Sequence, residues 1–477
     1  MTAHQLSVQS DPLQPMPAKA SRRTFLRNVG LALGGIFVSG CVAAIERPAV
    51  VTSNRRERNA DPDREITQLV YQDWRSDWFP AMVEEMLDIF HQQHPSIRVF
   101  FTPDPPNLIE SMSASMMAGT APDLFQGCCT FFPIWAQSGY TTDLQPWVEQ
   151  HLDESVVAEW DTAQYQAMTL PTGHRFGLPK YHGSLALYYN KDLFDQFGFD
   201  YPNGRWNHDD YAEAMRALTQ DRSNNDLTDL WGSMMDVSWD RVQIHANGWG
   251  GHLIAPERPN HCALSEPKTL DAFEWLRARM WDEKCMATRL DVQNMSTRSA
   301  FINQRVAMVE DGSWALKEIL NEANFRIGVV PFPAGPERQV TLGTTDGFGI
   351  YSETLYADAA WTLMNFLIGK TYGQAMMKAN FLQPARRTLV DEWIDIIGQE
   401  FPNKAREIDL AAFAEGHRKG YSVTIEIGPN MEALQQHTYE QWEQIFTFGT
   451  APVSSMRSVC QQMSSIRGEK SEGGAIQ

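Results

Sequence analysis

Several things are scarce in this chain of 477 residues, and each shortage excludes a class of function. No apolar run reaches membrane-spanning length: the N-terminal stretch from Asn28 to Gly40 is 13 residues and rich in glycine. As a helix it would cover about 20 Å, against a hydrocarbon core of roughly 30 Å. Positive charge is also scarce, with 40 basic against 59 acidic residues and a net charge of −19. The basic run Arg55-Arg56-Glu57-Arg58 is short and interrupted, so the chain should repel nucleic acid and anionic surfaces. Catalytic signatures are missing as well. There is no Gly-x-Ser-x-Gly and no His-Glu-x-x-His. Gly369-Lys370-Thr371 imitates the end of a phosphate loop, but Met364 stands where glycine is required. Asp221, Ser223 and Asn225 are spaced as in a calcium loop, yet Asp226 replaces its glycine and Gly232 its glutamate. His91 and His94 have no third ligand signalled nearby. Neither a metal nor a cofactor is expected, nor an enzyme.

What is present describes a folded body. Hydrophobic residues make up 43% and charged residues 21%, and the length exceeds one ordinary core, so two domains are expected. Ahead of them, Ser21-Arg22-Arg23-Thr24-Phe25-Leu26-Arg27, the short apolar run and Val38-Ser39-Gly40-Cys41 resemble a twin-arginine export signal fused to a lipobox. Residues 1–41 are then a signal peptide read through Arg22 and Arg23, with Cys41 as the lipidation site. Residues 42–64, rich in Arg, Asn, Asp and Pro, read as a flexible tether, and 466–477 as a disordered tail. Beyond Cys41 an odd number of cysteines remains: Cys128, Cys129, Cys262, Cys285 and Cys460. Buried free thiols are expected, with a single bridge such as Cys262 to Cys285 left open.

Hydrophobic periodicity organises the rest. Gln68–Gln72, Ile97–Thr102 and Asp123–Gln126 read as strands, and Trp78–His91 and Asn107–Ala118 as the helices between them. Such alternation builds a parallel sheet whose ligands sit at the carboxyl ends of the strands. The stretch Phe176–Phe194 reads as a crossing: Pro179 and Gly183 punctuate it, Leu185–Tyr189 is a buried strand, and Asn190-Lys191-Asp192 opens a helix. With a second crossing at Phe381–Arg386 it is expected to form a hinge, bending through Ala186. Val306–Val309 and Phe325–Val330 are further strands, Asp311-Gly312-Ser313-Trp314 a turn, and the region from Glu407 to Arg467 is helical with no sheet of its own.

Several segments, in order, resemble the extracellular solute-binding proteins of sugar ABC transporters, the maltose-binding-protein-like family. They are Ala118-Gly119-Thr120-Ala121-Pro122-Asp123, Tyr189-Asn190-Lys191-Asp192-Leu193-Phe194, Ala307-Met308 with Gly312-Ser313-Trp314, Pro331-Phe332-Pro333-Ala334-Gly335, Asp346-Gly347-Phe348-Gly349 and Gln383-Pro384-Ala385-Arg386. The resemblance implies a type II periplasmic-binding-protein fold, two α/β lobes joined by crossing hinge strands with a ligand cleft between them. The first lobe would take 65–181 and 345–387, the second 182–344 and 388–465. It further implies a monomer, anchored by lipid outside the inner membrane, that delivers a sugar or polyol to ABC permease subunits. The alternatives are the same fold holding a phosphate ester, polyamine or ferric chelate, or an exported carbohydrate-active enzyme.

A sugar presents apolar faces and hydroxyl edges, so its site needs flat aromatic rings and directional polar groups. Strand ends in the first lobe offer Gln72, Asp73, Trp74, Gln126, Cys129 and Thr130; the crossings offer His182, Tyr188 and Arg386; Asp346 is a hydroxyl acceptor beside glycine. By the resemblance, Trp314 holds a position that packs on the ligand, and Trp239, Asp240 and Trp249 face the cleft from the second lobe. Where an acidic and aromatic pair is expected after the third strand, this chain has Gly127-Cys128-Cys129-Thr130, which argues against maltodextrin.

Overall fold

The computed structural model describes residues 66–255 and 257–466; Arg22, Arg23, Cys41, the tether to residue 64 and the tail from 467 lie outside the described residues. The first sheet begins with β1 (Thr67–Asp73), β2 (Ile97–Pro103) and β3 (Leu124–Gly127). Between them, the helix Phe79–Gln93 carries Phe79, Met82, Val83, Met86, Leu87 and Phe90 on its buried face and stops before Pro95. β1 pairs in parallel with both β2 and β3. The chain then adds β4 (Leu178–Pro179) and leaves for a second sheet made of β5 (Leu185–Asn190), β6 (Trp231–Met234), β7 (Met286–Ala287), β8 (Val306–Gly312) and β9 (Ile327–Pro331). After β10 (Thr341–Leu342) it returns as β11 (Gly347–Ile350), which lies antiparallel between β3 and β4. The strand orders are β2-β1-β3-β11-β4 and β7-β6-β8-β5-β9. Helices pack on each sheet, giving two α/β lobes with separate apolar cores.

Three strands of chain run between the sheets and are bonded to one another. Lys180 N donates to the Asp346 carbonyl at 3.0 Å, His182 N to the Gln383 carbonyl at 3.0 Å, and Thr344 N to the Gly183 carbonyl at 2.9 Å. The buried Gln164 amide donates to both the Tyr181 and Thr344 carbonyls, at 2.8 and 2.7 Å, and so ties two of the strands together. This is the crossing that the punctuation at Pro179 and Gly183 predicts. Ala186, however, lies beyond these bonded segments. That residue sits in β5, antiparallel to both β8 and β9, where proline would remove ladder bonds rather than probe a hinge.

Three other expectations are corrected. The residues Asp311 and Gly312 close β8 instead of forming a turn, and Ser313–Ala315 is a short helical turn. The C-terminal region does contribute a strand, β12 (Ser422–Val423), paired in parallel with β10. Cys262 is bridged to Cys460, not to Cys285, closing a separation of 198 residues; Cys285 is a buried free thiol. Among the described residues no helix is long and apolar enough to cross a membrane.

Candidate cleft between the lobes

The carboxyl end of β1 is a closed polar knot. Asp73 is fully buried, pairs with Lys180 Nζ, and accepts from the Tyr71 hydroxyl and from Trp74 N. The same ammonium lies 3.2 Å from the centroid of the Trp74 ring, so burial, which lowers its pKa, is offset by a carboxylate and an aromatic face. Gln72 donates to Asp104 at 3.1 Å. Asp73 and Gln72 therefore floor the first lobe, and their hydrogen-bonding capacity is largely spent. Trp74 stays half-buried, its ring edge-on to Trp78, Phe79 and Tyr181.

Asp346 lies beside this knot, immediately before β11. Gln126 Nε2 donates to it at 3.3 Å, and Thr344 and Tyr181 hydroxyls also bond it. Burial lifts its carboxyl to about 7, against the pull of Lys180 and the hydroxyl bonds, and Asp73 adds to the rise. One buried ammonium serves two carboxylates: it pairs directly with Asp73 and acts on Asp346 only through space. Past β3, Cys129 is exposed with φ +53°, a left-handed backbone that side chains other than glycine rarely adopt. Thr130 reaches across and donates to Gln435 at 2.9 Å, on the helix Met431–Trp442 whose apolar face belongs to the second lobe.

On the second lobe, Trp314 follows β8 and packs at the edge of cores from both lobes. Its ring lies flat on the backbone of Gly183 and Gly312; a Cβ on Gly183 would come within 2.7 Å of it, so glycine there is what lets the indole nest against the crossing. The Arg241 guanidinium lies 5.3 Å from the ring centroid. Arg241 pairs with Asp240 and reaches Asp311 at 4.0 Å, while Arg298 Nε donates to Asp311 at 2.9 Å. Trp314, Arg241, Asp311 and Arg298, together with Asp236 and Glu318, line a recess of about 290 Å³. It shares Asp236, Ser296 and Thr297 with a larger one of about 710 Å³ that extends to Arg289 and Tyr439. Burial raises the Tyr439 hydroxyl to about 12, and the nearby carboxylates of Asp240 and Asp236 add to the effect.

The family model described as bacterial extracellular solute-binding protein matches residues 73–374, more than half of the chain. The chain belongs to that family. Its sequence is 24% identical over 297 residues, 61% of this chain and 69% of the other, to a protein named as a binding protein in Brucella abortus (strain 2308). Among solved structures it is similar to the ABC substrate-binding protein Lmo0181 from Listeria monocytogenes in complex with cycloalternan: TM-score 0.73, 21% identity, 85% of this chain and 100% of that one. It is also similar to UgpB from Mycobacterium tuberculosis in complex with glycerophosphocholine, at TM-score 0.69 and 17% identity over 84% and 98% of the two chains. The maltose/maltodextrin-binding domain MalE from Bdellovibrio bacteriovorus bound to maltotriose aligns at TM-score 0.66 and 15% identity over 85% and 100%. These likenesses establish the type II fold expected from the sequence.

Within this solute-binding protein Gln126 is bonded to Asp346 in the first lobe, Thr130 reaches Gln435 of the second, and Asp240 is joined to Trp314 through Arg241. The structure sets others apart. Tyr188 is fully buried against Phe301 and Phe413, its hydroxyl donating to the Gly312 carbonyl at 2.8 Å. Trp239 packs on Trp442 and donates to the Glu426 carbonyl at 3.1 Å, because the first turn of its helix turns that ring into the core. Trp249 caps the far end of the same helix, over His208 and Trp275, about 14 Å along the axis from Asp240. Arg386 is engaged with Glu159 and the Ile368 carbonyl. His182 lies within the crossing, its ring 5.1 Å from that of His417. The sequence reading missed Lys180, Arg241, Asp236, Arg298, Gln435 and Tyr439. Arg241 adjoins Asp240 in the chain and could have been found there; Gln435 and Tyr439 come from a C-terminal helix with no local signal.

Proposed function

We propose that this solute-binding protein captures a neutral saccharide or polyol between its lobes and delivers it to the membrane subunits of an ABC importer, without breaking a bond. The observation that carries the reading is Trp314: a half-buried indole, seated against Gly183 of the crossing and Gly312 of β8, beside Arg241, Asp236 and Asp311, and packed on the cores of both lobes. A flat ring bordered by fixed carboxylates matches the apolar face and hydroxyl edge of a sugar. The structural relatives named with cycloalternan and maltotriose support the same class. Carboxylates outnumber cations around the smaller recess, with Asp236, Asp311 and Glu318 against Arg241 and Arg298, which disfavours a phosphate ester. Contacts to both lobes would favour the closed state by their differential affinity.

The anchoring belongs to the same proposal. Arg22 and Arg23 direct export, lipid on Cys41 holds the monomer at the membrane, and residues 42–64 let it reach the permease. The first lobe then takes residues 65–181 and 345–387 and the second 182–344 and 388–465, a division supported by the hydrogen bonds among Lys180, His182, Gly183, Thr344, Asp346 and Gln383. The test is calorimetry of the soluble form beginning after Cys41 against monosaccharides, disaccharides, polyols and sugar phosphates. Binding by neutral members supports the reading; a response confined to phosphate esters, or to none of the panel, refutes it.

A further inference from the structure

The crossing holds a second cluster, distinct from the cleft. Asp161, His182 and His417 each offer one ligand atom, and these atoms all lie within 4.8 Å of one another. They come from three separate elements. Asp161 caps the helix Thr162–Ala167, His182 lies on the crossing, and His417 belongs to the helix Ala412–Lys419 that packs on β9. His182 is 3% exposed, and neither of its ring nitrogens has a hydrogen-bond partner. A buried imidazole with two unanswered nitrogens is costly unless something occupies them. Ser422 Oγ, also without a partner, lies with the edge of the His182 ring against Gly343. Asp161 is already oriented: one carboxylate oxygen accepts from Gln164 N at 2.8 Å and the other pairs with His417.

We propose that Asp161, His182 and His417 form a site for zinc or a zinc-like divalent transition metal. Two imidazoles and a carboxylate are a donor set suited to such ions, and the absence of an oxygen cage disfavours calcium or magnesium. Tetrahedral zinc with bonds of about 2.0–2.1 Å separates its ligand atoms by about 3.3 Å. The three ligand atoms, all within 4.8 Å of one another, leave the fourth position for water. Zinc takes imidazole in its neutral form, so uptake weakens as pH falls. Because the three ligands belong to the first lobe, the crossing and the second lobe, the ion fastens the hinge at one interlobe angle.

The experiment uses the tag-free protein, stripped with a chelator, folded as judged by circular dichroism, and titrated with zinc against a chromophoric competitor. The expected result is one zinc per chain, with calcium and magnesium failing to compete. His182→Ala and His417→Ala, made separately so that one misfolded variant does not decide the matter, should each weaken zinc by about 100-fold or more. His437→Ala, at a half-buried histidine outside the cluster, should leave it unchanged. Cobalt(II) should give a four-coordinate visible spectrum on the unmodified protein. The proposal is overturned if the stripped protein takes up no stoichiometric zinc, if both folded histidine variants bind as well as the parent, or if a crystal grown with zinc shows water alone beside His182.

Discussion

Replacing Asp346 by asparagine should change how stability depends on pH, by an amount that can be worked from the structure. The carboxyl sits at about 7 when folded, chiefly through burial, and at 3.8 when free. A raised carboxyl stabilises the fold fully below its unfolded value, and that contribution is lost as pH rises through the folded value. Between about pH 5 and about pH 8 the loss is roughly 2.5 kcal/mol. His182 opposes it: burial holds that ring at about 4 against an ordinary 6.5, so its neutral form stabilises the fold above the unfolded value and the contribution is lost toward acid. Over the same window it adds about 2 kcal/mol as pH rises. From these two groups the parent should be nearly flat, whereas Asp346→Asn, close in shape but unable to ionise, should gain about 2 kcal/mol from pH 5 to pH 8. Urea unfolding of the chelator-treated soluble form at each pH reads the difference. Parallel profiles for parent and variant would refute the burial-raised carboxyl of Asp346.

Three further outcomes are expected. Trp314→Ala should weaken saccharide binding about 30-fold, near 2 kcal/mol for a central aromatic anchor, while circular dichroism stays unchanged; unaltered affinity would remove the ring from the site. Cys129 should be alkylated first among the free thiols because it is exposed while Cys285 is buried, and a bound ligand should protect it; mass spectrometry with and without ligand decides. Cys460→Ser, which opens the bridge to Cys262, should cost about 2–4 kcal/mol in urea unfolding without changing ligand affinity.

The fold was legible where local pattern and global topology agree. Alternating strands and helices before residue 130, the crossing at Pro179 and Gly183, and the strand at Gly347 all carry period, turn chemistry or an apolar run that the structure repeats. The site was legible only in part, because side-chain direction and burial are tertiary facts. Tyr188 lies on β5, where alternation turns it onto the face covered by Phe413, and Trp239 differs from Asp240 by one step of helical rotation. Asp73 fell at the expected strand end, but only the fold shows Lys180 delivered to it from 107 residues away. For the same reason Asp161, His182 and His417 show no ligand spacing: the separation along the chain from Asp161 to His417 is 256 residues.

The most direct test of the account is a crystal structure of the soluble form with the tightest-binding neutral saccharide from the calorimetric panel. The account predicts a sugar ring against Trp314 at about 4 Å, with hydroxyls bonded to groups of both lobes, Asp240 or Asp311 on one side and the Thr130 to Asp346 edge on the other. A ligand lodged wholly in the larger recess near Arg289 and Glu443, with Trp314 uncovered, would contradict it.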